Sequence, residues 1–114
     1  MTDLSTLTDT ELNDRIGKAM GWTQHCHDCP LWKSPDGHEF GSYLPEYVDS
    51  LDALKSGPEK MLRAQGWRLN HVSENKHGEF LIAWTKGRVR RWASAPTEER
   101  ARAEAVCLGL EAGK

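Results

Sequence analysis

The feature that most constrains this chain is a change of hydrophobic period inside residues 61–92. Met61, Leu62, Arg63, Ala64 and Gln65 read as the end of a helix, and Gly66 follows as the stop, since the position after a helix favours positive φ and glycine has no Cβ to clash there. From Trp67 the period becomes two. Trp67, Leu69 and His71 are expected on one side of a strand and Arg68, Asn70 and Val72 on the other. Residues 73–78 (Ser-Glu-Asn-Lys-His-Gly) carry turn chemistry. Phe80, Ile82 and Trp84 then alternate with Leu81 and Ala83, so this run is apolar on both faces and reads as a central strand covered on both sides. Thr85-Lys86-Gly87 makes a tight turn into a third strand over 88–92. Helices before and after such a meander give an α+β fold, an antiparallel sheet packed between helices as an α/β/α sandwich.

Size fits a single domain over 1–114, long enough to bury a core without disulfides or metal. No apolar run approaches the ~20 residues of a membrane span, and Met1-Thr-Asp-Leu-Ser5 lacks signal-peptide character. The expected setting is the cytoplasm, with no membrane partner. Three cysteines, two of them close together, do not make a disulfide framework there.

Charge is distributed unevenly along the chain. Residues 1–59 carry a net −7, residues 60–92 a net +6 and residues 93–114 a net −1. Either the two halves face each other in one fold, or the meander offers a basic face to an acidic or phosphate-bearing partner.

Thr8 and Glu11 fit a capping box, with Leu7 and Leu12 placed as a hydrophobic staple. Leu12, Ile16, Ala19 and Met20 share one helical face, and Gly21 ends the helix. Short strands are expected over 22–25 and 31–33 and an edge piece over 38–41, separated by turns at 25–30 and 34–37. Leu44-Pro45 to Tyr47 is extended. A helix capped by Asp49 or Ser50 keeps its spacing across Gly57-Pro58, which predicts a kink or an interruption, with Pro58 as the first residue of a new helix as the competing view. Thr97 caps the last helix, where Ala101, Ala105, Leu108 and Ala112 form a small-residue stripe and Cys107 and Leu110 lie off its centre.

The opening helix from Leu7-Thr-Asp-Thr-Glu-Leu12 to Met20-Gly21-Trp22, the Leu44-Pro-Glu-Tyr47 segment, the Gly66-Trp67 junction and the closing Ala95-Pro96 with its Ala-rich helix together resemble the phage ABA sandwich domain family. The resemblance implies a sheet between helices and a bacteriophage or prophage source. It implies no activity.

Three constellations could carry chemistry. His25-Cys26-His27-Asp28-Cys29 with His38 offers a zinc set of Cys26, Cys29, His38 and one of His27 or His25, although the second half of a strong zinc pattern is missing. The bland alternative is a polar hairpin tip with reduced thiols. Arg88, Arg90, Trp84 and Trp92 are expected on one strand face, where arginines grip phosphates and tryptophans stack, while Arg91 points away with Val89. Here the alternative is tryptophans packed under a helix and arginines reaching solvent. For catalysis there is no nucleophile elbow, Walker loop or HExxH motif, and His71 stands alone on its strand.

The resulting expectation is a non-catalytic phage accessory protein that contacts a host protein, a component of host defence being one candidate, through Trp84, Arg88, Arg90 and Trp92. Two alternatives stand beside it: nucleotide or nucleic-acid binding through the same strand, and a small zinc-stabilised domain. A homodimer is also open.

Overall fold

A computed structural model describes residues 4–24, 31–35, 40–42 and 44–112. After a 3₁₀ turn at Leu4–Thr6, helix α1 spans Asp9–Met20. Three short strands follow, β1 (Thr23–Gln24), β2 (Trp32–Lys33) and β3 (Phe40–Ser42), paired antiparallel in the order β1-β2-β3. Helices α2 (Leu51–Ser56) and α3 (Pro58–Ala64) lead into a second antiparallel sheet, β4 (Arg68–Glu74), β5 (Phe80–Lys86) and β6 (Val89–Ala95), with β5 central. Helix α4 (Glu98–Ala112) closes the chain. The α+β domain stands as the sequence indicated, with helices packed on the three-stranded sheet of the meander; among the described residues they cover one face of that sheet, so it is not enclosed between helices on both sides as an α/β/α sandwich would have it. Among the described residues no helix is long and apolar enough to cross a membrane.

The helix ends follow local chemistry. The Thr8 side chain accepts from the Glu11 N–H at 3.1 Å and the Thr8 N–H donates to Glu11 Oε1 at 3.0 Å, which completes the capping box. That backbone donor holds the Glu11 carboxyl below its ordinary range. Helices α1 and α3 end alike. Gly21 takes φ +103° and Gly66 φ +97°, and the next N–H, from Trp22 or Trp67, reaches back to the carbonyl of Gly17 or Leu62 at 2.9 and 3.0 Å. Each Gly-Trp junction thereby drops a tryptophan into a buried position. At Gly57-Pro58 the structure takes the competing view: Gly57 caps α2, and Pro58 opens α3 as the first residue of a separate helix.

The core lies between the meander and the helices. Helix α4 packs on β5 and β6, and α1, α2 and α3 pack on α4. Leu12, Ile16, Leu54, Leu62, Trp67, Ile82, Trp84, Val106 and Leu110 meet there. Helix α4 departs from its predicted stripe. Residues 101–107, Gly109 and Leu110 are all buried, Leu108 is half-buried and Ala112 is exposed. The helix is surrounded, so no single apolar face distinguishes it. Its charges are accommodated by pairing: Arg102 donates to Glu59 of α3 at 2.9 Å and to Glu98 at 3.1 Å.

Cys107 is a free thiol buried in α4. Burial, reinforced by the Glu111 carboxylate, pushes it up to about 12. In a Cys26→Ser/Cys29→Ser background Cys107 is the one thiol left. It should resist iodoacetamide in buffer at pH 8.5 and react fully in denaturant. An unfolded thiol ionises at about 8.5, so above that pH the unfolded chain releases a proton that the folded one keeps. The thiol's contribution to stability therefore declines as pH rises from about 8.5 toward 12. Rapid alkylation of the native protein would contradict its placement.

Candidate functional site

Strand register decides which side chains share a surface. Lys86 pairs with Val89, so the β5–β6 turn holds two residues, and even-numbered positions of β5 stand opposite odd-numbered positions of β6. Trp84 faces Arg91, and Ala83 faces Trp92. On the other side of β5 the register shifts between Leu69 and His71. This bulge puts Leu69 opposite Trp84, and His71 opposite Ala83.

Two faces result. Leu69, Phe80, Ile82, Trp84, Ala93 and Ala95 belong to or pack against the core. The opposite face carries three rows across β4, β5 and β6: Arg68–Thr85–Arg90, His71–Ala83–Trp92 and Ser73–Leu81–Ser94. The two apolar faces read from β5 are thus both real but differently covered. Ile82 and Trp84 lie under the helices, whereas Ala83 is a methyl sheltered between His71 and Trp92 in its own sheet.

The four residues expected to make one contact surface are therefore divided. Trp84 is 0% exposed and belongs to the core, with the Arg63 guanidinium 5.3 Å from its ring centroid. Trp92 is 57% exposed and lies on the outer face with Arg90. Arg88 is exposed in the two-residue turn. Arg68 and His71, not expected on this surface, stand on β4 in the same cross-strand rows as Arg90 and Trp92, with Thr85 and Ala83 between them. The missed signal is the bulge at Asn70, which reverses the alternation partway along β4.

The outer face is basic and unneutralised. No carboxylate occurs in its three rows, and among the described residues Arg68, Arg88 and Arg90 make no ion pair. Ion pairs of the fold lie elsewhere, on Arg15, Arg100 and Arg102 with Glu111, Asp9, Glu104, Glu59 and Glu98. The basic meander therefore does not pair with the acidic N-terminal half among the described residues. On the outer face His71 Nε2 and Ser73 Oγ lie 2.8 Å apart.

A depression at the start of α4 is lined by Asp9, Val48, Asp49, Thr97, Glu99 and Arg100. Its cation is engaged: Arg100 donates to Asp9 and Glu104 at 2.7 Å and to the carbonyls of Leu4 and Leu7 at 2.9 and 2.7 Å. That arrangement fastens the N-terminal turn to α4 and reads as structural. The zinc set of Cys26, Cys29, His38 and His27 (or His25) lies outside the described residues. Among the described residues no cluster of three or more His, Cys, Asp or Glu could hold a metal ion. Comparison with protein-family models, with curated proteins and with solved structures finds no match to this chain.

Proposed function

We propose that this chain is a non-catalytic binding protein that meets an anionic partner with the outer face of the β4–β5–β6 sheet. The observation that supports this reading is Trp92, more than half exposed in a row with His71 and next to the row of Arg68 and Arg90, on a face without a carboxylate. Leaving a large indole in water and two arginines without partners has no evident return in folding free energy, and both residue types are enriched where proteins make contacts.

The charge part of this reading is tested on immobilised heparin, a polyanion. The protein should be retained at low salt despite its net charge of −2. Arg68→Ala/Arg90→Ala should elute substantially earlier. Lys55→Ala/Lys60→Ala, with the same charge change at exposed positions of α2 and α3, should elute like the wild type. Passage of the wild type in the flow-through, or equal losses in both double variants, would overturn the proposal.

A further inference from the structure

Building on that reading of the face, we infer that its partner is a single-stranded nucleic acid, with phosphates held by Arg68 and Arg90 and a base stacked on Trp92. Three observations on the face point this way. The first is its size. Three strands about 4.8 Å apart, each contributing three outward residues, make a strip of roughly 14 by 20 Å. That is well below the ~800 Å² per partner of a stable protein interface, and it matches a sheet surface on which two or three bases stack.

The second is composition. A protein interface of useful affinity has an apolar centre with several anchoring side chains. Here the apolar content is one exposed ring, the half-buried Leu81 and the fully sheltered Ala83. The remaining positions of the three rows are Arg68, His71, Ser73, Thr85, Arg90 and Ser94, all donors of hydrogen bonds. An array of donors with one flat aromatic suits a ligand made of phosphates and π-faces.

The third is geometry. Arg68 and Arg90 flank Thr85 in one row, so their Cα atoms stand about 10 Å apart, two strand spacings. The Trp92 row is the adjacent one on the same face. Cations on both edge strands, with a ring one row along from Arg90 on the same edge, form a platform that can follow a backbone and stack a base. A base can stack on Trp92 only when it is out of a duplex stack. Unstacked bases are the form this face can use.

Trp92 also supplies the readout, because Trp22, Trp32, Trp67 and Trp84 are all buried. Titrating the full chain with a 12-nucleotide oligo-dT should quench a fraction of the tryptophan emission that is absent in Trp92→Phe. Affinity measured by anisotropy of the labelled oligonucleotide should fall roughly tenfold or more in Trp92→Ala, as loss of one stacked base does. Trp92→Phe, which keeps a ring, should recover most of it. With two phosphate contacts, log K should fall against log salt with a slope of about −1.4, flattening in Arg68→Ala/Arg90→Ala. The same sequence as a duplex should bind more weakly. Thermal melts of each variant establish that it is folded.

Duplex and single strand binding equally, or Trp92→Ala leaving oligonucleotide affinity unchanged, overturns the nucleic-acid assignment. If heparin or polyglutamate binds through Arg68 and Arg90 under those conditions, the anionic-face reading survives and an acidic protein segment becomes the occupant. If no polyanion binds, both fall.

Discussion

Replacing Glu59 with alanine should cost about 3–5 kcal/mol of folding stability, the usual result of removing one partner from a buried ion pair. Glu59 is 0% exposed, and both of its oxygens accept from Arg102 Nη1 at 2.9 Å. Arg102 is itself buried in the middle of α4 and keeps only Glu98, at 3.1 Å, once Glu59 is gone. A guanidinium held in that position without its main counter-charge must either stay desolvated or pull α3 away from α4 to reach water. Urea unfolding measures the loss as a lower midpoint at unchanged slope. Replacing both members by apolar residues of similar volume, as in Glu59→Leu/Arg102→Met, should recover most of the stability, because the desolvation cost disappears with both charges. A loss below about 1 kcal/mol in Glu59→Ala would show that the pair does not anchor α4.

The second large effect separates two tryptophans eight positions apart. Trp84→Ala removes a fully buried indole from the centre of the core, together with the ring under Arg63, and should cost about 3–5 kcal/mol. Trp92→Ala lies on the outer face at 57% exposure and should change stability by no more than about 0.5 kcal/mol. The pair is a direct test of the strand register. If the β5–β6 turn contained one residue more or fewer, Trp84 and Trp92 would share a face and the two substitutions would have similar effects. Equal losses in parallel thermal melts would contradict the pairing of Ala83 with Trp92.

The contrast also shows why Trp84, Arg88, Arg90 and Trp92 looked like one surface. All four numbers are even, and alternation carried straight through the turn puts them together. A two-residue turn reverses that parity, since Lys86 pairs with Val89. The Asn70 bulge does the same within β4, so Leu69 joins the core while Arg68 and His71 turn outward. Each irregularity occupies one or two residues, and each moves every side chain beyond it to the other face.

What the sequence determined by itself is what is settled within about four residues along the chain: the Thr8–Glu11 box, the stops at Gly21 and Gly66, an irregularity at Gly57-Pro58, and three strands joined in a meander. These depend on φ preferences, missing donors and neighbouring hydrogen bonds, which short stretches of chain carry with them. What only the tertiary structure decided is which side of each strand meets the helices, that α4 is enclosed on all sides, and that Arg102 finds Glu59 across 43 positions. Those outcomes depend on register and on which distant charge reaches a buried one. The reason is that burial is a property of the packed layers, while a local pattern states only which residues could be buried together.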